Sequence, residues 1–123
     1  MPSHRANAHG TACEYYLADE FGIELARASW KDGDRNGTPW ELKACAHRHA
    51  DGQPGTFKLY REYHERLVEA GGRYGFAVYR KRGTGTQVLK TTTRAASRLP
   101  TMRWHGGGDH RDTQQGKLAI EDV

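Results

Sequence analysis

Two acidic residues and a lysine flank a tight-turn signal in the first half of the sequence. The turn signal is Asn36-Gly37, a dipeptide that strongly predicts a two-residue β-hairpin loop. With these two residues as the loop, Asp32 lies directly opposite Glu41, and Lys43 follows on the same face of the second strand. Directly opposed side chains have Cβ atoms roughly 4.5–5.5 Å apart. The three charged groups are therefore expected to converge.

Two opposed carboxylates destabilise a strand pair unless a positive charge lies between them. A hard divalent cation fits, because Mg²⁺ prefers oxygen ligands and commonly uses one or two protein carboxylates together with water and substrate phosphates. A lysine beside it can orient or deprotonate a water molecule, or stabilise charge that develops on a phosphate. The pattern of Asp32, Glu41 and Lys43 therefore predicts metal-assisted hydrolysis of a phosphodiester.

The same residues also fit a solvated hairpin face on which Lys43 simply pairs with an acid, as is common on protein surfaces. Trp40, Leu42 and the small apolar residues after Lys43 instead favour a central strand with one buried face. Asp34 is a rival to Asp32, because a wider loop beginning at residue 32 would give Asp34 the same role.

The composition of the 123-residue chain favours an anionic partner, nucleic acid first. The formal net charge is +4, with seven histidines in addition, and the isoelectric point is about 9.2. A mean hydropathy of −0.91 and the lack of a long apolar run predict no membrane association. Two cysteines and the lack of a signal-peptide pattern predict a cytoplasmic protein.

The first predicted element is a helix over residues 10–22, preceded by a loose polar leader at 1–9. Thr11 is the expected N-cap, and Glu14 completes a capping-box pattern. Gly22 is a suitable stop signal.

The rest of the chain is predicted to contain strands and one further helix. In chain order, we expect strands over 23–30 and 38–46, a loop over 47–55, a helix within 56–72, strands over 73–82 and 86–92, a Gly-rich flexible segment over 104–116, and a last strand at the KLAI sequence, 117–120. This α-β-β-α-β-β order predicts one α/β (α+β) domain over residues 1–123 with a central mixed sheet.

This arrangement resembles the core of the PD-(D/E)XK nuclease superfamily, which implies a restriction-endonuclease-like fold. An acid and then Glu41-Leu42-Lys43 lie on a hairpin, after a helix that carries Glu14, and the resemblance covers residues 10–82. The small size and basic charge are similar to archaeal Holliday-junction resolvases and related compact archaeal or viral endonucleases. The chain departs from the family pattern because no proline precedes the first acid, and because the gap from that acid to Glu41 is short.

The resemblance implies a role for each matching residue. Asp32 and Glu41 would be metal ligands, with the Leu42 carbonyl as a third. Lys43 would be the catalytic lysine. Glu14 matches a glutamate that reaches towards the metal site in many members, and this role competes with the capping box. The implied cofactor is Mg²⁺ or Mn²⁺, and no organic cofactor is expected.

Basic side chains elsewhere could bind phosphates, the contacts that dominate nucleic-acid affinity. The predicted set comprises Lys58, Arg61, Arg80, Lys81 and Arg82. Cys45, His47 and His49 suggest zinc, but their spacing matches no common zinc site and no second ligand pair follows. We therefore expect these three residues to bind no zinc.

Together these features predict a Mg²⁺-dependent endonuclease that acts on DNA, with structured or junction DNA as a candidate substrate. A homodimer is expected, because a domain of this size covers little DNA. One alternative is a basic nucleic-acid-binding module without catalysis. Another is a regulatory or interaction protein that retains a nuclease fold.

Overall fold

The computed structural model describes residues 4–106 and 114–123. Within these ranges the elements are α1 (His4–Phe21), β1 (Glu24–Ala28), β2 (Lys31–Arg35), β3 (Thr38–Ala46), β4 (Thr56–Tyr60), α2 (Arg61–Glu69), β5 (Arg73–Arg82), β6 (Gly85–Ala95) and β7 (Gln115–Ala119), with short 3₁₀ turns at Ala96–Arg98 and Ile120–Asp122. Neither described helix is long and apolar enough to cross a membrane. The predicted mixture of helices and strands is confirmed.

Helix α1 begins earlier than predicted. Residues 4–9 are helical, so the prediction of a loose leader is wrong for them, and Thr11 lies inside the helix instead of at its N-cap. Packing explains the early start, because His9 is buried, stacks on Tyr79 and hydrogen-bonds to Thr86. These partners lie far along the chain, so local sequence patterns do not reveal them.

Five strands form a mixed sheet in the order β1-β2-β3-β5-β6. β3 and β5 run parallel, from Trp40 beside Arg73 to Ala46 beside Tyr79, and the other neighbours are antiparallel. A parallel pair needs a crossover connection, which β4 and α2 provide. β3 is therefore the central strand that the sequence predicted.

The Asn36-Gly37 hairpin is confirmed. Both residues have positive φ, at 51° and 82°, as a type I′ loop requires. The register pairs Asp34 with Pro39, as a two-residue loop dictates. The continuous strand predicted over 23–30 is wrong, because β1 ends at Ala28 and a turn at 29–30 leads into β2.

Gly33 allows β1 to fold back tightly onto β2. Leu25 of β1 lies beside Gly33 in the antiparallel pair. A Cβ atom at this position would lie only 2.4 Å from the Glu24 carbonyl oxygen and 2.8 Å from Ile23 Cγ2. The close approach of the backbones therefore requires glycine next to Asp32.

The helix predicted within 56–72 is only partly correct. Its first residues form β4, and α2 begins at Arg61. β4 pairs with antiparallel β7, where Phe57 lies beside Leu118, and Phe57 and Leu59 are buried on alternate positions. A distant strand therefore decides the conformation of this segment, and no local helical spacing could predict that.

Each face of the main sheet is covered by a different layer. Helix α1 covers one face over a core that contains Cys13, Leu17, Ala18, Ile23, Trp40, Leu42, Ala77 and Tyr79. Helix α2 and the small β4–β7 sheet cover the other, over a core that contains Cys45, Phe57, Leu59, Leu67, Tyr74, Phe76, Val78, Ala96, Leu118 and Val123.

The C-terminal elements agree closely with the sequence. β5 has its predicted range, β6 is longer than the predicted 86–92, and β7 confirms the last predicted strand. The Gly-rich segment predicted to be flexible over 104–116 lies partly outside the described residues, which omit 107–113. On either side of that gap, His105 and Gln115 exchange two backbone hydrogen bonds of 3.0 and 2.9 Å.

Candidate active site

β2 and β3 separate at the position of the opposed acids. Their ladder ends at Gly33 and Trp40. Beyond it, the Leu42 N–H donates a hydrogen bond of 2.7 Å to Asp32 Oδ2. We call this point the fork. The hydrogen bond holds the Asp32 carboxylate against β3, at a position where the backbone of β2 no longer pairs with β3.

Glu41 lies beside Asp32, and its carboxyl group has a raised pKa. Burial is the main cause of the raised pKa of Glu41, and its hydrogen bond to Asp32 raises it further, whereas Lys43 lowers it. Two adjacent, half-buried carboxylates repel each other when no cation lies between them, and this favours the protonated form of Glu41. The fork therefore holds a pair of acids that together attract positive charge.

Lys43 shares the face of Glu41, because side chains alternate along a strand. In the β3–β5 register, Glu41 lies beside Tyr74 and Lys43 beside Phe76. Lys43 Nζ lies 5.7 Å from the centre of the Tyr60 ring, within the range of a cation–π interaction. Tyr60 ends β4, so the small sheet helps to orient the lysine.

Helix α1 brings Glu14 towards the fork. Its Oε1 accepts hydrogen bonds from Arg27, 2.7 Å from Nη2 and 3.0 Å from Nε. Burial and then Asp32 raise the pKa of Glu14, while Arg27 lowers it. A cavity of about 330 Å³ is lined by Glu14, Leu42 and Lys43 among others. Because Glu14 lies in the middle of α1, the predicted capping box is wrong.

Asp34, the rival acid, has a different partner. Both of its carboxylate oxygens lie 2.8 Å from Lys31 Nζ. It also lies on the paired part of the hairpin, opposite Pro39. Of the two acids, Asp32 is the one that is adjacent to Glu41.

The pair of carboxylates suits a hard divalent cation. In the described parts of the chain, no group of three or more His, Cys, Asp or Glu side chains is arranged around a common point. The adjacent carboxylates at the fork are those of Asp32 and Glu41, and their number matches the one or two carboxylates that Mg²⁺ commonly takes from a protein. The raised pKa of Glu41 marks a position to which a cation would be attracted.

The comparison with protein families decides the family of this chain. The family described as "PD-(D/E)XK nuclease superfamily domain" matches residues 1–123. The chain belongs to this superfamily. Searches of curated proteins and of solved structures found no match. PD-(D/E)XK nucleases generally use divalent metal ions and bind nucleic-acid substrates. The predicted family is thus confirmed, and the likeness to archaeal Holliday-junction resolvases stays a prediction.

The cations predicted to bind phosphate are divided over the surface of this PD-(D/E)XK domain. One cavity of about 820 Å³ includes Lys58, Arg80 and Lys81 in its lining. Arg61 lies instead at the start of α2, 3.5 Å from Glu65. Arg82 is exposed at the end of β5. The structure therefore brings three of the five together.

Cys45 lies in the core of the PD-(D/E)XK domain. Burial is the main cause that raises the pKa of its thiol, to about 12, so the thiol keeps its proton and packs as a small apolar group. His47 and His49 are exposed on the loop that follows β3.

Several contacts around the site have no signal in the sequence. Arg27 reaches Glu14 from β1, and Tyr60 reaches Lys43 from the end of β4. Their partners come from separate elements, and only the folded sheet brings them together. The Asn36-Gly37 signal, in contrast, was enough to predict the positions of the two acids, because both strands of the hairpin lie next to the turn in the sequence.

Proposed function

We propose that this chain is a Mg²⁺- or Mn²⁺-dependent endonuclease that hydrolyses phosphodiester bonds of DNA. The observation that carries the proposal is the common position of Asp32, Glu41 and Lys43, on one face of the sheet at the fork. Membership of the PD-(D/E)XK superfamily supports nuclease activity.

In this proposal, each side chain at the fork has a chemical task. Asp32 and Glu41 would bind the cation, with the Leu42 carbonyl as a third ligand. When bound, a divalent cation supplies Lewis-acid polarisation of a phosphoryl oxygen. Lys43 Nζ would orient or deprotonate the attacking water, or stabilise negative charge on the phosphate. Glu14 would add negative charge from the cavity that it shares with Lys43.

The cation–π contact supports the role given to Lys43. A lysine side chain is long and flexible, so it loses conformational entropy when it is held in one position. The ring of Tyr60, 5.7 Å from Nζ, restricts that freedom before substrate arrives. Such positioning matters because a misplacement of about 1 Å can cost about 10²-fold in rate.

We also propose that the substrate is structured DNA, such as a junction or a flap, and that two copies act together. The net charge of +4 supports a polyanionic partner. A single small domain covers little DNA, and a two-fold dimer would allow two strands to be cut.

The test is cleavage of labelled linear, single-stranded, flapped and four-way-junction DNA, in Mg²⁺, in Mn²⁺ and in EDTA. Lys43→Met and Glu41→Gln are compared with the wild type, because both keep side-chain size and remove an ionisable group. A loss of 10²–10⁴-fold is expected for Lys43→Met, roughly the contribution of a general acid or base.

Lys90→Met is the matched control, since Lys90 is exposed on β6. Metal-dependent cleavage that is lost in both site variants and kept in Lys90→Met supports the proposal. DNA binding without cleavage in any metal would instead favour the non-catalytic binding module. Neither binding nor cleavage would favour an interaction protein that retains the fold.

A further inference from the structure

A second cavity adjoins the proposed active site. It has a volume of about 820 Å³ and is formed by the end of β3, the loop after it, β4 and the end of β5. It shares Ala44 with the smaller cavity that contains Glu14 and Lys43. A polymer that lies across Lys43 can therefore continue along β3 into this second space.

The ionisable groups around this second cavity are mostly basic, and no carboxylate of residues 4–106 or 114–123 is among the residues that line it. We call it the basic groove, and its cations and imidazoles are His47, Arg48, His49, Lys58, Arg80 and Lys81. Among the described residues, the hydrogen-bond acceptors of Arg48 and Arg80 are neutral: the Gly52 carbonyl at 3.0 Å and Gln87 Oε1 at 2.7 Å. The ion pairs found within residues 4–106 and 114–123 involve other residues.

The strand pair beside the basic groove places two lysines directly opposite each other. Lys58 of β4 lies directly opposite Lys117 of β7, and both side chains are exposed. Like charges in this cross-strand position destabilise a sheet. An anion bound at this surface removes that cost, just as a cation removes it for the acids at the fork.

The dimensions and lining of the basic groove suit one nucleic-acid strand. Pockets that enclose small ligands measure roughly 300–1,000 Å³, so the groove has room for a few nucleotides of one strand and cannot enclose a duplex. Single-strand sites combine cations along the backbone with rings that stack on bases. Exposed His47 and His49 on either side of Arg48 supply such rings.

We propose that the basic groove binds the backbone of a single DNA strand next to the position of the cut. The substrate of the proposed nuclease then carries a single-stranded segment, as a flap or an unpaired end does. The position of the cut rests on the proposed function, but binding of the strand does not require catalysis.

The test measures DNA binding without cleavage, using the Lys43→Ala protein in EDTA. Fluorescence anisotropy reports binding of a labelled oligothymidine of about 12 nucleotides, within the roughly 4–16 that one single-strand-binding domain covers. A blunt duplex of equal length is the comparison. Affinity is measured across a range of salt concentrations. Each phosphate contact of a single strand adds about 0.7 to the magnitude of the slope of log affinity against log salt concentration, which we call the salt slope.

Four groove cations predict a salt slope of about −3 for the single strand. Arg48→Ala combined with Arg80→Ala should reduce its magnitude by about 1.4. The control is Arg94→Ala combined with Arg98→Ala, which removes the same charge from exposed positions. Arg94 lies beside Tyr74, at the other end of β5 from Arg80. The control should change the slope much less, and circular dichroism verifies that each variant is folded.

The proposal is overturned if the groove variant binds the strand with the wild-type slope, or if the blunt duplex binds more tightly than the single strand. Cleavage by the protein with Lys43 intact is measured separately. If cleavage depends on Lys43 and the groove variant has no effect, the groove proposal is wrong and the proposed nuclease function stands. If strand binding depends on the groove residues but no cleavage occurs, the proposed nuclease function is wrong and the groove proposal stands.

Discussion

Replacing Glu41 with glutamine should stabilise the metal-free protein at neutral pH. Burial and the hydrogen bond with Asp32 raise the pKa of Glu41 in the folded state, whereas a glutamate in an unfolded chain has a pKa of about 4.3. Between these values the folded protein holds a proton that the unfolded chain releases. The free energy of unfolding therefore falls as pH rises through that window. Glutamine has no proton to bind and avoids this loss.

The size of the effect follows from the width of that window. Each pH unit above the unfolded pKa costs about 1.4 kcal/mol until the folded pKa is reached. At pH 7 the cost is at most about 3–4 kcal/mol. Glutamine keeps the shape of Glu41 and can donate a hydrogen bond to Asp32, so most of that cost should be recovered. We expect a gain of about 2–3 kcal/mol, or about 10 °C in Tm for a domain of this size.

The assay is thermal unfolding followed by circular dichroism in EDTA, at pH 5 and at pH 7. The gain of Glu41→Gln should be large at pH 7 and small at pH 5, because pH 5 lies less than one unit above the unfolded pKa and only about 1 kcal/mol of the cost has accumulated there. Glu121→Gln is the control, because Glu121 is exposed. Equal Tm values for Glu41→Gln and the wild type at pH 7, or an equal gain at both pH values, would refute the reasoning.

Adding Mn²⁺ should remove most of the difference in stability between Glu41→Gln and the wild type. A ligand that binds only the folded state at 100 times its Kd stabilises it by about 2.7 kcal/mol. The wild type should gain this stability, and Glu41→Gln should gain little, because one of two carboxylate ligands is lost. A similar Mn²⁺-dependent rise in Tm for both proteins would show that Glu41 is not a ligand.

Substitutions at four further positions test the supporting structure. Gly33→Ala should lower the free energy of unfolding by about 1–3 kcal/mol, because its Cβ would meet a β1 carbonyl. Gly10→Ala, with open space around it inside α1, should raise the free energy by about 0.5–1 kcal/mol, and urea unfolding measures both. Leu67→Ala should cost about 2–5 kcal/mol in the same assay, because Leu67 is fully buried. Tyr60→Leu should lower kcat for metal-dependent cleavage roughly 3–30-fold while Tyr60→Phe stays close to wild type, the range expected from a cation–π contact of about 0.5–2 kcal/mol with Lys43.

The hairpin shows what the sequence could predict. The loop at Asn36-Gly37 fixes the register by itself, since a two-residue turn determines which residues are opposed. Asp34 therefore lies opposite Pro39 as expected, and Asp32 comes next to Glu41. The range of β5 could also be predicted from the sequence. The apolar residues at alternate positions and the Gly71-Gly72 helix stop before the strand are both local signals.

The errors share a physical cause. Residues 56–60 have helical spacing, yet they form a strand because β7 pairs with them from far along the chain. The start of α1 depends on the packing of His9 against Tyr79. The contact of Lys43 with Tyr60 depends on both the crossover and the small sheet. Tertiary pairing overrode local preference in each case.

From the pairing of β4 with β7 we expect two stages of folding. The acids of the fork lie on a hairpin whose strands are neighbours in sequence, so closing that loop costs little entropy. Phe57 gains its partner Leu118 only when β7 arrives over a much longer loop, and such non-local pairings form slowly. The core on the side of Cys45 is therefore completed late. Since Glu41 points to that same side of β3, its carboxyl group stays hydrated during the early stage and loses water only as the domain closes.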